Sequence, residues 1–348
     1  MEREMNDIND LNDIRALVAF SKVNGEDPSG LMKFLQSELE VEKIKENPKR
    51  AIFRMADEHG RVLFLKLFRK QRFPFNIFRF YAAKEYRIAK TLQKASLPIV
   101  NYLAWAVRKD GGGFCVSEGI PDALSGRRYF FETARFDARK RRVFLDRLAE
   151  LTCALCRAHF YHPDFHTSNF LFDTKAEKAF LVDPWGIREV FFLPEFRRLE
   201  MCFPWMELRD CLTDDEIMQG LLSSSLAKNK FAALELMERA GFLYRKQQEL
   251  RWPKIRRRIL SGKAKFATLE MHGNDRFFWR HTDWFTPPDK FEIDPAWEKR
   301  EFPDGAEAEK IWLDSFRKYP DPKPMLWIAH PGGSAELYFT SKSNTSGR

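Results

Sequence analysis

Two neighbouring polar segments constrain this chain more than any other part of its sequence. The first is Tyr161-His-Pro-Asp-Phe-His-Thr-Ser-Asn-Phe-Leu-Phe-Asp173, and the second is Ala179-Phe-Leu-Val-Asp-Pro-Trp-Gly186. The first contains a His-x-Asp-x-x-x-x-Asn run, which places the carboxylate of Asp164 and the amide of Asn169 on one short loop. The second places another carboxylate, Asp183, at the end of an apolar run. Such a set can hold Mg²⁺ and a hydroxyl group close together.

These three side chains match the needs of phosphoryl transfer. The reaction requires neutralisation of the nucleotide charge and a group that orients the attacking oxygen, with little covalent work from the protein. We expect Asp164 to accept the hydroxyl proton. We expect Asn169 and Asp183 to bind the metal ion, because Mg²⁺ prefers carboxylate and phosphate oxygens. The alternative is a plain surface turn, since His, Asp and Asn also satisfy their own backbone locally.

Two upstream residues favour phosphoryl transfer over a plain turn. Segments 51–55 and 61–67 predict a hairpin, and Lys66 lies on its second strand as either an edge-strand charge or a positioned cation. In the following helical pattern, residues 81–92, Glu85 falls on an otherwise apolar stripe, where an acid needs a cation. We therefore predict that Lys66 pairs with Glu85, so that the ammonium group points at the α- and β-phosphates of a nucleotide.

A predicted hinge follows this helix. The apolar segment 114–117 ends in Glu118, Gly119 and Ile120, and an apolar strand that ends in a small-residue turn fits a connection between two lobes. We expect the backbone groups of these three residues to bind an adenine edge. This assignment rests on position alone, because the contact requires no particular side chain.

The composition is that of a globular protein with a substantial core. Of its 348 residues, 44% are hydrophobic and 14% are aromatic, which suits two lobes or domains. No apolar run approaches the roughly 18 residues of a membrane-spanning helix, and the order of a signal peptide is missing, so we expect a cytoplasmic protein. The polar ends, residues 1–13 and 340–348, are expected to fray. The five cysteines, including Cys153-x-x-Cys156 in a helical pattern, are expected to be reduced thiols.

The charge of the chain is basic. There are 59 Lys and Arg against 50 Asp and Glu, a formal net charge of +9, with clusters at residues 69–72, 139–142 and 256–258. This balance suits an anionic partner or an anionic membrane surface, although basic clusters are also ordinary solvated faces. No segment resembles a nucleic-acid-binding module, so nucleic acid is not expected as a partner.

The site residues carry a resemblance to the bacterial lipopolysaccharide core kinases, the Kdo and heptose kinase family of the protein-kinase-like superfamily. It covers about residues 42–215, and the residues that carry it are Leu65-Lys66, Glu85, His162-Pro-Asp164, Asn169 and Asp183. The resemblance implies ATP and Mg²⁺ as cofactors and transfer of the γ-phosphoryl group to a sugar hydroxyl of a glycolipid or saccharide acceptor. It also implies work at the cytoplasmic face of the inner membrane, as a peripheral protein. It does not indicate an oligomeric state.

By position in this family, Lys66 would bind the α- and β-phosphates and Glu85 would anchor it. Asp164 would be the base, and Asn169 and Asp183 would hold the metal ion.

The expected fold class is α+β, a bilobal protein-kinase-like fold with a small β-rich N-lobe and a larger helical C-lobe. We place a helical lead-in, partly disordered, at residues 1–40, the N-lobe at 41–120, the C-lobe at 121–253 and a C-terminal extension at 254–348. In the C-lobe, Asp210 is either a brace for the backbone of the catalytic loop or an ordinary helix acid.

The C-terminal extension resembles part of the N-lobe. The pattern from Glu309 through Pro322 to residues 337–340 repeats the spacing that begins at Glu85, and Arg280 then falls where Lys66 should be. Since no second catalytic loop follows, such a repeat would be an inert, degenerate N-lobe. A chance similarity of two helix-turn-strand patterns is the alternative.

Two departures from the family pattern leave alternatives open. No Gly-x-Gly run precedes Lys66, so the loop over the phosphates must differ and would use the side chains of Lys45 or Arg50. Asp183-Pro-Trp-Gly186 stands where many kinases have Asp-Phe-Gly. A nucleotide-binding pseudokinase regulator without turnover and a soluble small-molecule kinase are therefore the alternatives to a glycolipid kinase.

Overall fold

The computed structural model describes residues 11–47, 49–69, 81–108, 112–264, 267–272, 274–280, 297–317 and 324–339. Four parts of the sequence predictions lie wholly or mostly outside these residues. They are the N-terminal segment 1–13, the C-terminal segment 340–348, the basic cluster 69–72 and Pro322 of the predicted repeat. The chain forms two compact units, Met1–Ala240 and Gly241–Arg348.

The first unit begins with a sheet-rich region and continues with a helical one. Its helices are α1 (Leu11–Ala19), α2 (Pro28–Gln36), α3 (Tyr81–Lys94), α4 (Gly126–Glu132), α5 (Ala138–Arg157), α6 (Glu195–Met201), α7 (Phe203–Leu208), α8 (Asp214–Ser223) and α9 (Lys230–Leu260), which contains the division between the units. Its strands are β1 (Val23–Gly25), β2 (Leu39–Asn47), β3 (Arg50–Asp57), β4 (Val62–Phe68), β5 (Tyr102–Val107), β6 (Gly113–Glu118), β7 (Ala123–Ser125), β8 (Phe160–Tyr161), β9 (Phe170–Asp173), β10 (Lys178–Leu181) and β11 (Arg188–Glu189).

The sheet-rich region is built on antiparallel strands in the order β1-β5-β6-β4-β3-β2. One face buries Leu63, Leu65 and Leu67 of β4 in a core that includes residues of α1 and α2. Because side chains alternate along a strand, Lys66 points to the opposite face, where α3 contacts β5 and β6. The two N-terminal helices, expected as a lead-in to the N-lobe, thus pack onto its sheet.

The helical region surrounds an aromatic core. Helix α5 begins at the cap Asp137, whose carboxylate accepts from the N–H of Lys140, and it buries Phe144 against the rings of Phe170 and Phe172 on β9. Strand β9 pairs with β10 and β7, and the two-residue strand β8 pairs with β11. These ladders hold both ends of the segment that contains Asp164, so the site residues are fixed by strands and a long buried helix.

The second unit contains β12 (Ala267–His272), β13 (Asp275–Arg280), β14 (Glu298–Phe302), α10 (Gly305–Arg317), β15 (Pro324–Ala329) and β16 (Ala335–Phe339). Its sheet has the order β12-β13-β15-β16-β14, and Trp312 and Leu313 of α10 belong to the core that lines one of its faces. Arg280 is buried, donates to the carbonyl of Pro324 and to Ser315, and stacks on the ring of Phe316 at 3.8 Å.

The predicted repeat of the N-lobe is reproduced in element order but not in strand pairing. In the first unit, β4 pairs with β6, the second strand after α3, whereas β13 pairs with β15, the first strand after α10. Arg280 does lie on the second strand of a hairpin, as Lys66 does, yet its contacts are a hydroxyl, a carbonyl and rings instead of a carboxylate. The repeat is therefore not confirmed.

The division between the units falls after Ala240, whereas the sequence placed the start of the C-terminal extension at residue 254. All five cysteines are free thiols, and Cys153 and Cys156 lie on α5. Among the described residues, no helix has the length and apolar character needed to span a membrane. The sheet-rich and helical regions of the first unit are compatible with a kinase-like fold.

Candidate active site

The predicted ion pair between Lys66 and Glu85 is present and buried. Lys66 Nζ donates to Glu85 Oε2 at 2.7 Å, and Glu85 is fully buried in α3. Its other oxygen, Oε1, accepts from the hydroxyl of Tyr102 at 2.8 Å and lies 3.8 Å from Sγ of Cys115. Burial, reinforced by the nearby Glu85 charge, raises the pKa of both Tyr102 and Cys115, so both remain protonated donors. The Glu85 carboxylate, which anchors Lys66, is thus contacted by side chains of two strands, β5 and β6.

Lys66 also reaches a second carboxylate. Its Nζ donates to Asp183 Oδ1 at 2.7 Å, so the ammonium group lies between Asp183 and Glu85. Burial would lower the pKa of Lys66, but the two carboxylates outweigh it and the pKa is raised above its usual value. Lys66 therefore carries its charge at any physiological pH.

Asp183 has an unusual backbone and two cationic partners. Its φ of +52° lies in the left-handed region, which costs a residue with a Cβ roughly 1 kcal/mol and persists where the surroundings impose it. Besides Lys66, Arg50 Nη1 lies 3.1 Å from Asp183 Oδ2. Burial works to raise the pKa of Asp183, yet Lys66 and then Arg50 hold it below its usual value. The carboxylate is ionised and bracketed by two positive groups.

Arg50 comes from the position of the missing glycine-rich loop. It is the first residue of β3, directly after the β2–β3 turn, and 133 residues separate it from its partner Asp183. The sequence suggested Lys45 or Arg50 as substitutes for glycine-loop backbone groups, and the structure places Arg50 against Asp183. Nothing local in the sequence indicates this long-range contact.

Asp164 lies on a loop that is shaped by local hydrogen bonds. The N–H of Asp164 donates to Nδ1 of His162 at 3.3 Å, and Asn169 Nδ2 donates to the carbonyl of Asp164 at 2.7 Å and approaches its Oδ2 at 3.4 Å. Nε2 of His166 lies 3.5 Å from Asp164 Oδ2. The pKa of Asp164 is lowered to about 2, and the hydrogen bond with His166 is the largest cause. Asp164 is thus an ionised, partly exposed carboxylate.

His166 is a neighbour of Asp164 that sequence reasoning missed. Its Nδ1 accepts from the N–H of Ser168 at 3.2 Å, which in a neutral ring places the proton on Nε2, the nitrogen that faces Asp164. The signal was present, because His166 stands two residues after Asp164 in the same motif. His162, by contrast, is fully buried, and burial lowers its pKa to about 4, so it is a neutral structural group.

Asn169 and Asp183 fit a metal ion through their donor chemistry. Asn169 directs its amide nitrogen to Asp164, which orients the amide oxygen as an acceptor, and the N–H of Val182 donates to the carbonyl of Asn169 at 3.2 Å, beside Asp183. An amide oxygen and a carboxylate are the hard ligands that Mg²⁺ prefers when phosphates complete its shell. No cluster of three or more His, Cys, Asp or Glu side chains arranged for a metal ion occurs in the described ranges.

The predicted hinge is already engaged in backbone hydrogen bonds. The N–H of Glu118 donates to the carbonyl of Asn101 at 2.8 Å, and the N–H of Gly119 donates to the carbonyl of Val62 at 2.7 Å. The carbonyl of Ile120 also accepts from the N–H of Ala123, at 3.2 Å, so an adenine contact would fall to other backbone groups of this segment. The hinge assignment stays a prediction.

The loop that carries Asp164 is braced by Glu207 of α7, and Asp210 is exposed. Glu207 Oε2 accepts from the N–H of Thr167 at 2.9 Å and from its hydroxyl at 2.6 Å, while Arg127 of α4 binds the other oxygen. Gly126, beside Arg127, approaches the loop so closely that a Cβ would lie 2.7 Å from the carbonyl of Thr167. Of the two interpretations offered for Asp210, a brace or an ordinary helix acid, its exposure agrees with the second, and Glu207 makes the contacts with Thr167.

Trp185 connects the Asp183 segment to α3. Its ring lies 4.9 Å from that of Tyr81, and Lys84 Nζ lies 4.4 Å from its centroid. Tyr81 and Lys84 belong to the first turn of α3, the helix that carries Glu85. Trp185 therefore connects the segment of Asp183 to the helix of Glu85, the two residues whose carboxylates pair with Lys66.

The combination of a sheet-borne lysine, a helix-borne glutamate, an exposed aspartate on a loop and a second aspartate beside the lysine is characteristic of kinase-like phosphotransferases. The model of the lipopolysaccharide kinase (Kdo/WaaP) family matches residues 58–183, a stretch that includes Lys66, Glu85, Asp164 and Asp183. This part of the chain is thus similar to that family, which confirms the resemblance noted in the sequence. No curated protein matches the chain.

Proposed function

We propose that this protein is an ATP- and Mg²⁺-dependent kinase that transfers the γ-phosphoryl group to a sugar hydroxyl of lipopolysaccharide core or a related glycolipid. One observation carries the proposal: Lys66 Nζ lies 2.7 Å from both Glu85 and Asp183 inside a stretch similar to the lipopolysaccharide kinase family. A buried ammonium group held between two carboxylates is positioned for charge neutralisation before the substrate arrives. The same match supports a saccharide or glycolipid as acceptor.

In this mechanism, Asp164 accepts the proton of the acceptor hydroxyl as the hydroxyl oxygen forms its bond to the γ-phosphorus. The bond from that phosphorus to the β,γ-bridging oxygen breaks, and ADP leaves with the electron pair. The pKa of about 2 keeps Asp164 ionised as the acceptor of that proton. His166 and Asn169 orient the carboxylate. This role requires positioning more than strong basicity.

Lys66 and Arg50 would bind phosphate oxygens, and Glu85 would keep Lys66 in place. Asp183 and Asn169 would hold Mg²⁺, which supplies neutralisation of the charge on the β- and γ-phosphates. Backbone groups at Glu118–Ile120 would contact the adenine. The protein would act in the cytoplasm, at the inner face of a bacterial inner membrane.

The test is transfer of radiolabelled phosphate from ATP to purified lipopolysaccharide core. Asp164→Ala should lower the rate by about 100-fold or more, because it removes the group that receives the proton. Asp215→Ala is the matched control, since Asp215 is an exposed acid in the first turn of α8 and should not alter the rate. Equal transfer by Asp164→Ala and wild type would refute the assigned base.

A non-catalytic nucleotide-binding regulator is the second candidate. The observation that favours it is the double pairing of Asp183 with Lys66 and Arg50, which opposes metal binding. Calorimetric ATP binding with no labelled product on core glycolipid would support a regulator, and steady turnover would exclude it. Turnover on small hydroxyl compounds alone would instead support a soluble small-molecule kinase.

A further inference from the structure

Three phenylalanines are exposed close together in the chain, directly after the Asp183 segment. Phe191 is 97% exposed, the most exposed large apolar side chain in the described part of the protein, and Phe192 and Phe196 are 69% and 55% exposed. We call residues 191–196 the aromatic segment. Single exposed apolar residues are ordinary, but consecutive exposed aromatic rings mark an interaction surface.

The aromatic segment is held firmly at both ends. On its N-terminal side, β11 pairs with β8, and the N–H of Val190 donates to the carbonyl of His159 at 2.7 Å. On its C-terminal side, the Arg197 guanidinium lies 5.0 Å from the ring of Tyr161, and the Tyr161 hydroxyl donates to Glu200. The rings are therefore exposed on an ordered support.

That same support leads to the catalytic loop. Tyr161 of β8 is opposite Arg188 of β11 in the strand ladder, and Asp164 follows three residues after Tyr161. A molecule bound by the aromatic segment would consequently be held next to the loop that receives the acceptor hydroxyl.

Residues 188–200 contain three arginines and three glutamates, and two of the glutamates, Glu195 and Glu200, are engaged by other side chains. Arg188 is exposed, and Arg197 lies 5.7 Å from the ring of Phe196. Of the acids, Glu195 is bound by Arg239 of α9, which leaves Glu189 as the exposed acid of β11. Guanidinium groups beside exposed aromatic rings suit an interface in which anionic headgroups lie above acyl chains.

We propose that the aromatic segment inserts Phe191 and Phe192 into the surface of an anionic bilayer, while Arg188 and Arg197 contact the lipid phosphates. This inference rests on the proposed function, because it explains how a glycolipid hydroxyl would be presented to Asp164. Its occupant is the bilayer itself, so binding should occur on membranes that contain no acceptor.

The experiment is flotation of the full chain with vesicles that lack lipopolysaccharide. Wild type should bind mixed phosphatidylethanolamine and phosphatidylglycerol vesicles, with less binding at high salt and on phosphatidylcholine alone. The double variant Phe191→Ser/Phe192→Ser should bind at least about tenfold more weakly, equivalent to about 1.4 kcal/mol. Phe20→Ser is the matched control, because Phe20 is 87% exposed elsewhere and should leave binding unchanged.

Further arms separate bilayer insertion from a general loss of stability or activity. The double variant Phe191→Trp/Phe192→Trp should retain vesicle binding, since tryptophan is favoured at membrane interfaces. Transfer to core glycolipid embedded in vesicles should fall in the serine variant, while transfer to delipidated core oligosaccharide should not. An unchanged melting temperature shows that the serine variant is folded.

The proposal is overturned if wild type does not float, or if the serine variant floats as well as wild type. It is also overturned if the serine substitutions alter only self-association in sedimentation velocity, which would make the segment a protein–protein interface. Absence of transfer by wild type to any acceptor would refute the proposed function. The flotation result would still show whether the aromatic segment binds a bilayer.

Discussion

Replacing Arg50 by alanine should weaken ATP binding, because Arg50 stands where a glycine-rich loop would otherwise cover the phosphates. Its Nη1 lies 3.1 Å from Asp183 Oδ2, and the two side chains are 29% and 30% exposed. If a bound nucleotide offers phosphate oxygens at the same place, the guanidinium can exchange the carboxylate for them. Arginine suits this exchange, since its planar fork binds carboxylates and phosphates alike.

The expected magnitude is the difference between two interactions. A hydrogen bond from a charged group to phosphate is worth about 1.5–3 kcal/mol. An exposed ion pair is worth about 0–1 kcal/mol, and a partly buried one such as Arg50–Asp183 somewhat more. The net contribution of Arg50 to nucleotide binding is therefore about 1 kcal/mol, and Arg50→Ala should raise the Kd for ATP about fivefold to tenfold.

The assay is calorimetric titration with ATP and Mg²⁺, together with the KM for ATP in phosphate transfer. Arg50→Lys should have an intermediate effect, because it keeps the charge and loses the fork. Arg54→Ala is the matched control, since Arg54 lies on the same face of β3 and its ion pair with the exposed Glu40 spans 3.9 Å. ATP binding by Arg50→Ala that equals or exceeds that of wild type would refute the reasoning and show that Arg50 does not bind the phosphates.

Three further changes test the support of the site. Glu85→Gln removes the buried charge that anchors Lys66 and should lower kcat/KM about 100-fold in steady-state transfer assays; near-normal activity would show that Asp183 alone holds the lysine. Glu207→Gln weakens the two hydrogen bonds to Thr167 and should lower kcat about tenfold with an unchanged KM for ATP; an equal change in both would argue against a positioning role. The buried His162 has a pKa of about 4 against an ordinary 6.5, so the unfolded chain binds more protons between these values and stability should fall as pH drops through them. Thermal melting should show this loss in wild type and less of it in His162→Gln.

The parts of the site that could be predicted are those in which the direction of a side chain follows from the period of its own strand or helix. A strand has a period of two and a helix of 3.6 residues, so the sequence alone assigns Lys66 on β4 and Glu85 on α3 to facing surfaces. Asp164 and Asn169 share one short loop, where spacing alone limits their separation. The contact between Lys66 and Glu85 at 2.7 Å agrees with that reasoning.

The parts that could not be predicted depend on contacts between distant segments or on a choice among equivalent positions. Arg50 and Asp183 are far apart in sequence, and no period relates them. Glu207 and Asp210 are three residues apart, so both could have faced the same neighbour, and only packing decides that Glu207 binds Thr167. The order of β15 and β16 is similarly ambiguous, because one sequence of elements is consistent with more than one strand order.

Two cations on Asp183 also couple the metal to the nucleotide. A glycine-rich loop presents neutral backbone groups to phosphate, whereas Arg50 and Lys66 need a counter-ion, and Asp183 is that counter-ion as well as the proposed metal ligand. Mg²⁺ without nucleotide would have to displace both cations from Asp183, and Lys66 would then stay paired with Glu85. Calorimetry should therefore detect little Mg²⁺ binding without ATP, and more in Arg50→Ala, where one competitor is removed. Since such coupling is reciprocal, Mg²⁺ should strengthen ATP binding less in Arg50→Ala than in wild type; equal strengthening in both would show that Arg50 does not link the two sites.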